Sequence, residues 1–291
     1  MNASTQESIG IAGTGRVAQA LGRLLRERGE PVVAVAGRNP ERTARAAEFI
    51  GATAFLPRQL PQRADRILIA VSDSALAEVA RNLAHAGMDR GAALHTCGAC
   101  GPEILEPLAQ AGVACGVLHP LQTVASPEAG VAILPGSAFA VCGDPAAVAW
   151  GERIIALLEG TALRIAPGSM PLYHAAAVMA SNYVAGLIDA AAILMKTAGI
   201  DEKTALDALG PLIRAGVANA LTLGPEKALT GPIERGDAET VRRHLRSLGA
   251  VPPSVSGLYR SAGLHVLEVA RRRGLAEAQA REIETLLREG S

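Results

Sequence analysis

The chain has 291 residues, 28 Lys and Arg against 28 Asp and Glu, 49% hydrophobic residues and 2% aromatics. That length suits one large domain or two ordinary ones, each able to bury a core. A net charge of zero leaves no basic excess to neutralise phosphate backbones, which excludes nucleic acid as the main partner. Only three of the basic residues are lysines, Lys196, Lys203 and Lys227, so a lysine-dependent mechanism must use one of them. The start, MNASTQESIG, has neither a basic region nor an apolar run and reads as a polar tail rather than a signal peptide. Apolar stretches such as 175–180 are broken by polar residues well short of a membrane span. Four cysteines in a chain this long do not form a disulfide scaffold. A cytoplasmic protein without membrane contact is expected.

From residue 9 to about 166, short apolar runs alternate with amphipathic stretches, the pattern of βαβ units. Strands are predicted at 8–12, 32–36, 66–71, 92–96, 114–118, 138–142 and 162–165, with helices such as 17–28 and 40–50 between the early ones. Continuous apolar strands fit a mostly parallel sheet covered on both faces. Beyond Pro167 and Gly168 only Ala-, Leu- and Arg-rich helical periodicity remains. Residues 171–198 read as one long apolar helix opened by Pro171 and capped by Ser169. The expected fold is α/β, a Rossmann-type doubly wound sheet over 1–168, followed by an all-α domain over 169–291. A helix that apolar needs cover on several sides, which predicts a homodimer through the C-terminal domain.

The first predicted strand runs into Gly13-Thr14-Gly15-Arg16-Val17-Ala18, a G-x-G-x-x-A between a strand and a helix. Gly13 permits the tight turn, Gly15 lets the backbone approach a pyrophosphate, and the helix N-terminus presents free N–H groups to it. After the second strand comes Gly37-Arg38-Asn39-Pro40, where NAD sites place a carboxylate for the ribose. Arg38 offers a planar fork of donors to a 2′-phosphate instead, which predicts NADP(H). Asn39 stands beside it, and Val71, Ser72 and Asp73 close the next strand, where they can line the nicotinamide ribose or cap the following helix.

Three histidines stand at places that can face one cleft. His95 and His119 lie at strand ends and His174 opens the long helix. Cys97-Gly98-Ala99-Cys100 is a C-x-x-C without a second pair to complete a zinc site.

GTGRVA, HTCGA, HPLQT, YHAAAVMASN and ALTGPIERGD occur in this order over almost the whole chain. Together they resemble Rossmann-like proteins carrying a C-terminal domain of unknown function related to the helical domain of phosphogluconate dehydrogenase. The resemblance implies an NADP-dependent oxidoreductase related to ketopantoate, pyrroline-carboxylate and β-hydroxyacid dehydrogenases. HPLQT is also similar to the His-Pro segment of prephenate dehydrogenases, where the histidine touches substrate. Many relatives open the long helix with a lysine four residues before an asparagine, and this chain has no lysine before Lys196. His174 is therefore the expected proton donor, His119 the second choice, with Ser181 or Asn182 holding the carbonyl oxygen. His95 and Gln122 are expected at the substrate, and Arg235 is expected either to clamp its carboxylate or to pair with Asp237.

The reading is NADPH-dependent hydride transfer to a small carbonyl, such as the 2-oxo acid ketopantoate, or to an imine, in an interdomain cleft. The alternative is a non-catalytic protein that senses NADP(H) or uses the fold as a scaffold. A fold alone does not decide between them.

Overall fold

The computed structural model describes residues 7–166 and 168–289. Most of the polar N-terminal tail and Pro167 lie outside them. The chain divides into two compact units, Met1–Ser181 and Asn182–Ser291.

The first unit runs β1 (Ile9–Ala12), α1 (Arg16–Glu27), β2 (Val32–Ala36), α2 (Pro40–Ile50), β3 (Thr53–Phe55), β4 (Arg66–Ile69), α3 (Asp73–His85) and β5 (Ala92–His95). It continues with α4 (Glu106–Gln110), β6 (Ala114–Pro120), α5 (Pro127–Ile133), β7 (Ala138–Gly143), α6 (Pro145–Leu157), β8 (Thr161–Arg164) and α7 (Met170–Ala180). The strands form one sheet in the order β3-β2-β1-β4-β5-β6-β7-β8. Every pairing is parallel except β6 with β7. All seven predicted strands are present within a few residues. The eighth, β3, is a three-residue edge strand with two exposed residues, too short for an apolar pattern.

Alternation along the strands divides the core. Ile11, Val35, Leu68 and Leu94 point to one face with Leu21, Phe139 and Trp150. Ile67 and Ile69 point to the other with Leu60, Leu76 and Leu83. The single tryptophan, Trp150, is buried on the first of these faces, its indole N–H without a partner among the described residues, and the guanidinium of Arg66 lies 5.6 Å from its ring centre. Local chemistry sets the helix ends. Asn39 Oδ1 accepts from the Arg42 amide at 2.9 Å, Pro40 opens α2, and Gly51 closes it at φ 81°.

The second unit is helical: α8 (Asn182–Thr197), α9 (Glu202–Leu223), α10 (Pro225–Ala228), α11 (Ala238–Ser247), α12 (Pro253–Arg272) and α13 (Glu277–Arg288). Val241, Leu267, Ile283 and Leu287 form its core.

Two expectations about the boundary are corrected. The predicted single helix is interrupted at Ser181, whose φ of −127° and ψ of −71° leave the helical region. Its first part, α7, belongs to the first unit, so the units part at Ser181 rather than at residue 168. The reason is Met170, fully buried against Val117, Ala140 and Cys142 of the sheet. The apolar run as a whole has the expected length. Met170–Thr197 spans 28 residues at a mean hydropathy of 1.6, long and apolar enough by composition to cross a membrane, and hardly any of it is buried within the chain.

Candidate active site

The carboxyl ends of β1 and β4 are neighbours in the sheet, and the connections leaving them run to opposite sides, a topological switch point. Above it lies a cavity of about 800 Å³. It is lined by Gly13, Thr14, Gly15, Arg16 and Val17 of the glycine turn, by Arg38 and Pro57, and by Val71, Ser72, Thr96 and Val124. Gly13 sits at φ +136°, and a Cβ there would lie 2.1 Å from the carbonyl oxygen of Ala70. The position therefore demands glycine twice over, for conformation and for space. Gly15 differs. It is the N-cap of α1 at an ordinary φ of −75°, and a Cβ there would meet nothing within 4 Å. Its lack of a side chain leaves open ground in front of the amides of α1, which suits a phosphate group.

The other predicted nucleotide residues divide. Arg16 and Arg38 are exposed at the cavity and among the described residues enter no ion pair. Asn39 spends its side-chain oxygen on the cap of α2. Ser72 is the N-cap position of α3, but its hydroxyl meets Ser74 at 3.4 Å instead of a backbone amide. Asp73 is the first residue of α3, outside the cavity lining but close enough to influence two of the histidines.

Two residues beyond Thr96, the backbone at Gly98 meets a histidine pair. A Cβ on Gly98 would lie 2.5 Å from Nδ1 of His174 and 2.7 Å from Nε2 of His119. The two imidazoles stand edge to face with centres 5.8 Å apart. His119, on β6, also meets the Tyr173 hydroxyl through Nδ1 at 2.9 Å. Burial, reinforced by the neighbouring His174, pushes the His119 imidazole down to about 4, so it is neutral near pH 7. Burial pushes the Tyr173 phenol up to about 12, which keeps it protonated. His174 Nδ1 is buried without a partner among the described residues. Thr123, adjacent to the cavity residue Val124, meets the Ser181 hydroxyl at 3.0 Å, so Ser181 stands on the same side of the first unit.

The remaining candidates are placed less favourably. His95 is wholly buried, with Nδ1 accepting from the Cys97 amide at 3.2 Å and Nε2 donating to the Gly101 carbonyl at 3.0 Å. Neither nitrogen is left for a substrate, and burial lowers its pKa. It orders the loop that carries Gly98. Gln122 turns back on the amide of Thr123 and the hydroxyl of Ser137. Asn182 and Arg235 belong to the second unit and both are exposed. Arg235 enters no ion pair among the described residues; Asp237 uses its carboxylate to cap α11. Cys97 is buried and its thiol is held up by burial and by Asp73, opposite to what a reactive thiolate requires. Among the described residues no cluster of His, Cys, Asp or Glu is suited to a metal ion.

Tyr173 was not singled out by sequence. Its signal was a Tyr-His doublet in the first turn of a helix, which spacing alone does not separate from ordinary packing.

Fold and cavity together define a Rossmann-type dinucleotide-binding architecture. Residues 2–120 match the family model of a Rossmann-like domain and residues 137–266 that of a domain of unknown function, DUF2520. The two matches follow one another along the chain, the Rossmann-like domain first and DUF2520 second. The DUF2520 match begins at β7, so it takes in the last part of the sheet as well as helices. No curated protein matches the chain in sequence. Among solved structures, the chain is similar to protein TM1727 of Thermotoga maritima, at 22% identity and a TM-score of 0.73 over 91% of this chain and 98% of that one. It is similar to a candidate NADP oxidoreductase of Bacteroides fragilis, BF3122, at 23% identity and a TM-score of 0.69 over 96% and 98%. A reductive aminase of Aspergillus terreus in complex with NADPH and ethyl levulinate shares 17% identity at a TM-score of 0.66 over 97% and 99%. At these identities the likeness is one of fold.

Proposed function

We propose that the protein is an NADPH-dependent oxidoreductase acting on a small carbonyl, such as a 2-oxo acid, or an imine. One observation carries the reading: Thr96 lines the same cavity as the glycine turn, and two residues further the same loop packs against His119 and His174. The structural relatives described as acting with NADPH or NADP agree with it.

The open ground at Gly15 and the amides opening α1 would hold the pyrophosphate, and Arg38 the 2′-phosphate. When bound, NADPH supplies a hydride to the electrophilic carbon. The protein must then supply a proton to the oxygen or nitrogen that gains charge. His119 is held neutral, which leaves His174 as the donor, with His119 directing a hydrogen bond at the same atom. Ser181 offers a further hydroxyl. NADPH oxidation with a panel of small 2-oxo acids, ketones and cyclic imines tests the reading. Turnover with any class supports it. Tight NADPH binding with no turnover on any of them overturns it in favour of an NADP(H) sensor.

Arg38→Ala is expected to weaken NADPH binding about 10- to 100-fold, the worth of a hydrogen bond to a charged group, and to leave NADH binding unchanged. Titration of both cofactors by nucleotide fluorescence checks it.

We further propose a homodimer. Ala192 alone is buried in α8 and Ala205 alone in α9, while Tyr183, Leu187, Leu212, Val217 and Leu221 face outward. So much exposed apolar surface marks an interface, and a second copy presents the same apolar chemistry. Light scattering is expected to give the mass of two chains. A monomer, or a chain that stays dispersed only with detergent or lipid, contradicts this and favours a membrane surface.

A further inference from the structure

The phenol of Tyr173 has one polar neighbour among the described residues, Nδ1 of His119 at 2.9 Å. A phenol that stays protonated and has a single partner is best used as a donor, since accepting there would leave its own O–H without one. An Nδ1 that accepts cannot carry the proton of a neutral imidazole, which then resides on Nε2. Nε2 faces the Gly98 backbone, on the side where His174 Nδ1 also points. The other groups around His119 fit a neutral ring. His174 from α7 and His95 from β5 disfavour a positive charge on it, and only Asp73 from α3 favours one. His95 shows how the fold sets tautomers. It is also neutral, with one nitrogen accepting from Cys97 N–H and the other donating to the Gly101 carbonyl. His119 has the same arrangement with a side chain, Tyr173, in place of the backbone donor and with its Nε2–H not bonded to protein.

We infer that Tyr173 is a positioning residue that locks His119 in its neutral Nε2–H tautomer, so that His119 gives the substrate heteroatom a hydrogen bond and not a proton. The substrate part of this statement rests on the reductase reading; the tautomer does not. A preorganised neutral donor stabilises developing negative charge without having to be recharged in each cycle. It also separates the work of the two histidines. His174 loses its proton to product, and His119 keeps its own.

The test begins without cofactor or substrate. In 15N-histidine NMR spectra of the full-length protein at pH 7, the resonances absent from His119→Gln belong to His119. They are expected to show a protonated Nε2 and an unprotonated Nδ1. In Tyr173→Phe, which removes only a hydroxyl, the same resonances are expected to move toward the averaged values of a mixed tautomer. A wild-type His119 that is charged, or protonated on Nδ1, overturns the inference, and so does a Tyr173→Phe spectrum identical to wild type. With a turned-over substrate in hand, Tyr173→Phe is expected to lower kcat about tenfold, less than loss of a whole preorganised donor. KM and the shape of the pH profile should stay as in wild type, because the proton still comes from His174. If the tautomer is as stated but no substrate is reduced, the reductase reading fails and the assignment of Tyr173 to His119 stands. A shift in the alkaline limb of the profile, where a proton donor is lost, in Tyr173→Phe would instead make His119 the proton donor.

Discussion

His174→Ala is expected to lower kcat by about 10²- to 10⁴-fold, the usual worth of a positioned acid, while NADPH binds as before. At 1.36 kcal/mol per factor of ten this is about 3–5 kcal/mol of transition-state stabilisation. The expectation follows from geometry. His174 stands on α7, which is fastened to the sheet through the fully buried Met170, so the imidazole is held on a fixed element rather than a loop. Its Nδ1 shares the Gly98 side with Nε2 of His119, whose own imidazole burial holds neutral. Gly98→Ala should reproduce much of the defect without removing either histidine, because the new methyl would lie 2.5 Å from one ring nitrogen and 2.7 Å from the other. Single-turnover and steady-state rates for both variants, with NADPH affinity measured alongside, check this. Full activity in His174→Ala together with its loss in His119→Ala would exchange the two roles.

Gly13→Ala is expected to cost about 2–5 kcal/mol of stability, adding the strain of a positive φ to the overpacking of a rigid site. The methyl would lie 2.1 Å from the Ala70 carbonyl oxygen and 2.8 Å from its carbon, and both belong to backbone that continues from the strand beside β1. No rotamer change relieves a clash with backbone, so β1 or β4 must shift. Gly15→Ala, two residues on, should behave in the opposite way. Its φ of −75° is open to alanine and its Cβ would point into empty space, so the loss of stability should stay within about 1 kcal/mol, the N-cap preference for glycine over alanine. NADPH binding should nevertheless weaken, because that space is where the pyrophosphate is proposed to lie. Urea titrations and NADPH titrations of the two variants separate a glycine needed by the fold from one needed by the ligand. Equal stability of both variants would remove the distinction.

The glycine turn and the strands were legible because their signals are local. Ile9 to Ala18 states a strand, a turn and a helix start in ten residues. The α-helix at Pro40 announces itself by Asn39 before it and Gly51 after it. The break at Ser181 was not legible, since neither glycine nor proline marks it and apolar character continues on both sides. The Ser-Asn pair there invites a catalytic reading; in the structure Ser181 is the residue that ends one helix. The reversed direction of β7 was hidden as well, because an apolar run reads the same in either orientation. Among the candidate site residues, His119 and His174 came together as expected. His95 did not stay available, because its partners, the Cys97 amide and the Gly101 carbonyl, come from a loop fold that spacing does not encode. Tyr173 was invisible for the converse reason. Its role depends on His119, 54 residues earlier in the chain.

The position of Trp150 makes the protein its own two-channel instrument. The sole indole is sealed in the core of the first unit beside the Arg66 guanidinium, and the helical unit has none. Tryptophan emission therefore reports melting of the nucleotide-binding half alone, while far-ultraviolet ellipticity, dominated by helices, reports both halves. Coincident curves from the two signals would mean that the halves melt as one cooperative block. Separated curves would give the stability of each half from a single unlabelled sample.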